Sequence, residues 1–297
     1  MAVALAIDVG GTKLAAGLVD GSGELLARAQ RPTPATGTAE ALFAAVVALA
    51  GEVRDGPAGG SVDVCGVGCG GPMAAGGERV SPLNIPAWRD FPLRARLASG
   101  LGLPVHVDND AKALALGEGW RGAAAGCGAF VAMVVSTGVG GGIVLDGRLL
   151  DGASGNAGHI GHVIVEPDGR RCRCGARGCL EAEASGPGIE ALTGRPPAEA
   201  SPEIVARTGT LVGRAVASVA SLLDLRLAVV AGSVALGFGE PFFRAAQAEL
   251  DSRARLAFVR GARIVPAGLG DAGPLVGAGA VGLRGQGLLD LASPTRE

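Results

Sequence analysis

Between His159 and Cys179 the chain places two histidines and three cysteines. Four of these, His162, Cys172, Cys174 and Cys179, supply one nitrogen and three sulfurs, the donor set of a closed tetrahedral zinc site. Gly175 and Gly178 let the backbone turn sharply enough for three thiolates to meet on one ion, and Arg171, Arg173 and Arg177 offset the negative charge of a Cys3His centre. The bland alternatives are a loop of free thiols, or disulfides in a secreted chain. A Cys-x-Cys pair with a third cysteine and an upstream histidine favours metal over both. A closed site has no position left for an activated water, so the ion fixes a loop and the chemistry must lie elsewhere.

Two glycine segments are the next candidates. Residues 4–8 read as a buried strand that runs into Val9, Gly10, Gly11, Thr12 and Lys13, and a second apolar run follows at 14–19. A strand, a tight glycine turn and a returning strand present backbone N–H groups and a hydroxyl to a phosphate. A Walker loop would need a longer glycine-bounded loop followed by a helix; an ordinary hairpin turn is the other reading. The pattern recurs about 130 residues on, where the strand 130–135 leads into Ser136, Thr137, Gly138, Val139, Gly140, Gly141 and Gly142 and then 143–145. The repetition suggests a duplicated domain holding a nucleotide's phosphates between its halves, with glycines where a side chain would keep amides away from phosphate oxygens.

Between the loops, residues 103–110 form a strand ending in Asp108, Asn109 and Asp110, and 111–120 read as the start of a helix. Carboxylates at a strand-to-helix junction suit a general base, because the strand fixes their position and the helix N-terminus stabilises their charge. A helix cap accounts for one of the three residues and leaves two unexplained.

Taken together, DVGGTK at 8–13, VDNDAKALALGE at 107–118, STGVGGG at 136–142 and the GHIGH and CRCGARGCLE segments resemble the signature set of ROK-family sugar kinases, bacterial glucokinases in particular. The resemblance spans nearly the whole chain. It implies an α/β protein of actin-like ATPase (ribonuclease H-like) fold, with two α/β domains around a central cleft that takes sugar and ATP. The expected division is a small domain at 1–110, with a C-terminal helix at about 273–291 packing back on it, and a large domain at 111–272 carrying a zinc loop at 159–181. By the same resemblance Asp110 is the base for the sugar 6-hydroxyl. Asn109, Asn84 in SPLNIPAW, the Gly71–Pro72 turn, His162 and Glu181 contact the sugar, with His162 also a zinc ligand. Gly10, Gly11, Thr12, Thr137, Gly138 and Gly140 hold ATP phosphates, Gly232 and Ser233 its adenosine, and Asp8 holds Mg2+ through water. Lys13 could reach a phosphate or end a solvated turn.

One departure stands out. The family pattern G-E-x-G-H reads Gly158, His159, Ile160, Gly161, His162 here, so the sugar-binding glutamate is replaced by His159. An imidazole donates or accepts but carries no fixed negative charge. The resemblance therefore implies an ATP-dependent hexokinase acting on glucose, with a kinase for an amino sugar (kanosamine, glucosamine or N-acetylmannosamine) as the alternative. A sugar-sensing regulator is third and weaker, since the first strand begins within four residues of Met1 and leaves no room for a winged helix. Polyphosphate is the alternative donor to ATP, and a homo-oligomer of two or four copies is expected.

Composition agrees with these readings. A net charge of −2 over 297 residues gives no basic field for nucleic acid. The 52 glycines and absence of tyrosine are a compositional bias, because 48% hydrophobic residues is the share of a packed protein. No membrane span or signal peptide is expected, which implies a cytoplasmic, reducing setting where thiolates bind metal, with Cys65, Cys69 and Cys127 as small buried residues. Helices are predicted at 36–54, 211–223 and 273–283, strands at 62–67 and 225–231, a loop at 54–61, a proline-containing linker at 194–201, and a frayed tail from 292.

Overall fold

The computed structural model describes residues 1–34, 37–58 and 60–290. Among them the strands form two five-stranded sheets, and the chain divides into two compact units. The first comprises Met1–Ala125, Leu149–Ala157 and, among the described residues, 269–290; the second comprises Gly126–Arg148 and Gly158–Gly268. The expected tail from 292, the start of the helix expected at 36 and part of the 54–61 loop lie outside the described residues.

In the first unit β1 (Val3–Val9), β2 (Lys13–Asp20) and β3 (Leu25–Pro32) run as an antiparallel meander. The chain then passes through α1 (Ala39–Arg54), β4 (Val64–Cys69), α2 (Leu93–Leu101), β5 (Val105–Asn109) and α3 (Asp110–Arg121). β4 adds parallel to β1 and β5 parallel to β4, giving the order β3-β2-β1-β4-β5. Alternating burial along β3 marks a half-solvated edge, whereas β4 is buried throughout, as a central parallel strand must be. Thr38 caps α1 by accepting from Ala41 N, and Leu42, Val46, Leu49 and Val53 bury one face of that helix.

The other face of the sheet is covered by the C-terminal helix Gly273–Gly285, which approaches backbone to backbone. A Cβ on Gly66 of β4 would lie 1.9 Å from the carbonyl oxygen of Ala278, so no other residue fits there. α3 packs on the same helix through Gly277, whose Cβ would meet the carbonyl of Ala113 at 2.4 Å. The small residues of this helix are what permit the contact.

The second unit repeats the topology. β6 (Phe130–Val135), β7 (Val139–Leu145) and β8 (Arg148–Leu149) are followed by α4 (Leu180–Ala184), α5 (Gly186–Thr193), α6 (Pro202–Leu223), β9 (Leu227–Ala231), α7 (Ser233–Arg253) and β10 (Arg263–Pro266). The order β8-β7-β6-β9-β10 matches the first sheet strand for strand, with β7 antiparallel and β9 parallel to β6. This is the expected ribonuclease H-like arrangement, present twice. α6 starts nine residues before the predicted 211, because Pro202 at its first turn suits a helix start and its polar first turns hide the periodicity. The 194–201 linker contains a short 3-10 turn at Pro197–Glu199.

Candidate active site

The ends of three parallel strands bring the acidic residues together. Register pairs Asp8 with Gly68 and Gly68 with Asp108, so two carboxylates flank a glycine in one row across β1, β4 and β5. A Cβ on Gly68 would lie 3.7 Å from Asp8 Oδ1 and 3.6 Å from the Asp110 Cα. Asn109 caps α3 by accepting from Ala111 N at 3.0 Å, and Asp110 is the first residue of that helix, one position before the predicted start at 111. Asp110 Oδ1 accepts from the same N–H at 2.8 Å, and its Oδ2 faces the turn at Gly70, where a Cβ would stand 4.0 Å away. Asp110 is thus the acidic residue in the first turn of α3, at the positive end of the helix dipole.

Crowding of carboxylates shifts their neighbours. Burial, then the charge of Asp110, raise Asp8 to about 7 against an opposing pull from Lys13. Asp108 is raised by burial and held back by Lys112. Cys69 is buried and pushed well up by burial, Asp110 and Asp8.

Gly10, Gly11 and Thr12 form the turn joining β1 to β2, which begins at Lys13. Gly10 N donates to Lys13 O at 3.0 Å, and Thr33 closes the turn from outside, donating its hydroxyl to Gly10 O at 2.7 Å and its N–H to Thr12 O at 2.9 Å. Asn84 lies against this turn: a Cβ on Gly11 would come within 2.7 Å of the Asn84 Cβ. The Gly71–Pro72 turn is held by Leu83 N donating to Gly71 O and Ser81 N to Pro72 O. Asp8, Gly10, Gly11, Thr12, Lys13, Gly71, Asn84, Asn109 and Asp110 thus belong to one unit.

The remaining residues singled out in the sequence belong to the second unit. In the β6–β7 turn Ser136 N donates to Gly138 O at 2.9 Å, and Thr137 is exposed at its tip. Glu181 Oε2 accepts from Val139 N at 3.0 Å, which fixes the carboxylate against Gly138. Ser136 Oγ and Ser233 Oγ are 2.9 Å apart, so the N-terminus of α7 meets the same turn. Gly232 makes this possible at φ 100°, with its Cα so close to Val135 that a Cβ would fall 2.4 Å from the carbonyl oxygen. This one glycine turns the chain, and the helix begins at once at Ser233. Ser136 was quoted in the motif but not chosen as a site residue; its hydroxyl bond to Ser233 spans 97 residues and leaves no local signal.

His162, Cys172, Cys174 and Cys179 converge, with their ligand atoms all within 4.8 Å of one another. Cys174 Sγ and Cys179 Sγ are 3.7 Å apart, and Cys172 Sγ is 3.8 Å from His162 Nδ1. Zinc bonds of about 2.3 Å to sulfur and about 2.0 Å to nitrogen give tetrahedral edges of about 3.8 and about 3.5 Å, so the four residues fit such an ion. Gly178, at φ 70°, lets the loop fold back so that Val165 N donates to its carbonyl at 2.8 Å. Beneath the loop, Glu183 is buried and takes Arg170 N at 2.7 Å and Arg207 Nη2 at 2.7 Å; against burial, these hold its carboxyl below the ordinary value. Arg214 joins Glu166 to Glu249. The expected neutralising arginines, Arg171, Arg173 and Arg177, are exposed. The rings of His159 and His162 stack at 6.0 Å, with His159 on the exposed side.

The family model for ROK matches residues 4–284. The chain belongs to the ROK family. An N-acetylmannosamine kinase of Citrobacter koseri is 38% identical over 250 residues, covering 79% of this chain and 84% of that protein. A glucokinase of Thermotoga maritima is 40% identical over 189 residues, 62% of this chain and 58% of that protein. The crystal structure of a ROK glucokinase from Streptomyces griseus in complex with glucose and AMPPNP is similar at a TM-score of 0.82 and 30% identity, over 95% of this chain and 99% of that one. The protein is thus a ROK sugar kinase of actin-like ATPase fold.

Proposed function

We propose that this ROK kinase transfers the γ-phosphoryl group of ATP to the 6-hydroxyl of a hexose, with Asp110 as the base. The observation that carries the reading is the position of Asp110: first residue of α3, beside Asp8, with one oxygen tied to Ala111 N and the other turned toward Gly70. A carboxylate so oriented accepts the hydroxyl proton as the oxygen attacks phosphorus. Transfer through a loose transition state asks for alignment and charge neutralisation more than covalent chemistry. Asn109, Asn84 and Gly71 orient the sugar, and Glu181 keeps one oxygen for a sugar hydroxyl while the other holds the β6–β7 turn. The two turns, at 10–13 and 137–140, cradle phosphates with backbone N–H groups, and Gly232 and Ser233 border the adenosine. Mg2+, when bound through Asp8, neutralises the phosphate oxygens. His162, Cys172, Cys174 and Cys179 would hold a structural zinc, and the His162 ring they fix carries the His159 ring stacked on it.

For the sugar itself, N-acetylmannosamine is read ahead of glucose. The Citrobacter koseri kinase aligns with more of the chain than the Thermotoga maritima glucokinase does. A carboxylate only accepts hydrogen bonds and so suits hydroxyl donors, whereas the imidazole of His159 donates to the carbonyl of an acetamido group. Glucose is the second reading, supported by the 30% identity to the Streptomyces griseus glucokinase. Assaying N-acetylmannosamine, glucosamine, kanosamine and glucose with ATP and with polyphosphate separates them: the reading expects the highest kcat/KM for N-acetylmannosamine with ATP. A glucose value tenfold above it would reverse the order, and no transfer to any sugar would remove the proposal.

A further inference from the structure

Lys112 is 2% exposed, two residues after Asp110, and belongs to none of the groups assigned above. Its ammonium has three protons, and three acceptors surround it: Asp108 Oδ1 at 3.1 Å, Asp151 Oδ1 at 2.7 Å and the carbonyl oxygen of Gly155 at 3.2 Å. Asp108 immediately precedes Asn109 and Asp110. Asp151 and Gly155 lie in Leu149–Ala157, the segment of the first unit that leads directly into Gly158 and His159. The same segment is held a second time, independently. Asn156 Oδ1 accepts from Met73 N at 3.3 Å and Asn156 Nδ2 donates to Met73 O at 3.1 Å, locking it to the residue that follows the Gly71–Pro72 turn.

The geometry points to Lys112 as a positioning residue for the sugar, its ammonium tying the strand end that delivers Asp110 to the segment that delivers His159. This rests on the reading of His159 and Gly71 as sugar contacts. A buried lysine whose protons are all engaged is a rigid three-way joint, and a partly desolvated ion pair holds its geometry far better than an exposed one. Its effect falls on sugar affinity, because the pieces it joins lead to proposed sugar contacts and neither turn proposed to cradle ATP is among its three polar partners.

The test uses the double variant Asp108→Asn/Lys112→Met, which leaves no buried charge stranded, and Asp151→Ala, which removes an exposed partner. Sugar KM, ATP KM and kcat are measured with hydrogen exchange across 149–157. The double variant is expected to raise sugar KM at least tenfold, with ATP KM within twofold and kcat within threefold. Asp151→Ala should raise sugar KM about threefold. Exchange across 149–157 should quicken in both. An unchanged sugar KM in both folded variants, or KM values for sugar and ATP rising together, would overturn the assignment. A wild-type protein that phosphorylates no sugar overturns the proposed function and the sugar role with it, while hydrogen exchange still reads the joint itself.

Discussion

The two sheets of this protein share one strand order and differ in what stands at the strand ends. In the first unit the residue paired one step back from the glycine turn is Asp8, whose parallel neighbours in register are Gly68 and Asp108. In the second unit the equivalent residue on β6 is Val134, and its parallel neighbour on β9 is Ala231. Both units build the turn from glycine and threonine. Only the first surrounds it with carboxylates, to the point that Asp8 is raised to about 7 by burial and Asp110. In the second, hydroxyls of Ser136 and Ser233 meet at the turn and a single carboxylate, Glu181, accepts from the backbone N–H of Val139. The repeated fold thus supplies two similar turns, and on the proposed function the divergence of a few side chains would give proton transfer and cation binding to one of them. The carboxylates are tolerated there because the first turn of α3 and the ammonium of Lys112 face them.

The strongest way to break this contrast is to remove the base. Asp110→Asn keeps size and capping but cannot take a proton, so kcat should fall by roughly 10^2 to 10^4 with sugar affinity retained. A variant keeping more than about a tenth of wild-type kcat would place the chemistry elsewhere.

Asp8→Asn tests the second carboxylate in two ways. Its loss should lower kcat by about 10- to 100-fold and raise the Mg2+ requirement. The folded carboxyl at about 7 lies above the ordinary 3.8, so between those values the folded state binds the extra proton. The contribution of Asp8 to magnesium-free stability should therefore be fully present below about pH 4 and be lost as pH rises to about 7, by at most on the order of 4 kcal/mol. Urea unfolding across that range should show the decline in the wild type and a flatter profile in the variant, while excess Mg2+ at pH 8 should recover stability in the wild type alone.

Cys174→Ser probes the organising centre of the second unit. Purified protein should carry about one zinc per chain, and the variant should lose it together with roughly 5 to 10 °C of Tm. Metal analysis finding no zinc, with activity indifferent to strong chelators, would contradict a required site. The smallest expected effect is at His159. His159→Glu should shift the kcat/KM ratio between N-acetylmannosamine and glucose about tenfold toward glucose, about 1.4 kcal/mol for one polar contact. A constant ratio would make His159 a bystander.

How much of this was legible in the sequence depends on the range of the interactions. The turns at 10–13 and 137–140, the acidic strand end and the His/Cys cluster are each local, and their residue types and spacing carried them. β6 was read at its observed bounds because six apolar residues end at a serine and a glycine run. β3, β10 and α2 were not read: β3 and α2 mix charge into an alternating or weakly amphipathic pattern, and β10 has four residues. Lys112 was quoted within the motif but not chosen, since two of its three partners lie 39 and 43 residues away. Glu118 was overlooked likewise. It is fully buried and accepts from Ala123 N at 2.7 Å and from Leu269 N at 3.1 Å, the second across 151 residues. A charged residue on an otherwise apolar helix face reads as solvated until the fold provides its partner.

The most direct test of the account is the product. Protein incubated with Mg2+, ATP and N-acetylmannosamine, followed by 31P NMR, should convert the γ-phosphate of ATP into a sugar phosphate monoester coupled to the protons on carbon 6, and the 6-deoxy sugar should give none. A phosphate ester at any other position, or ATP left unconsumed with every sugar offered, would contradict Asp110 as the base for a 6-hydroxyl kinase.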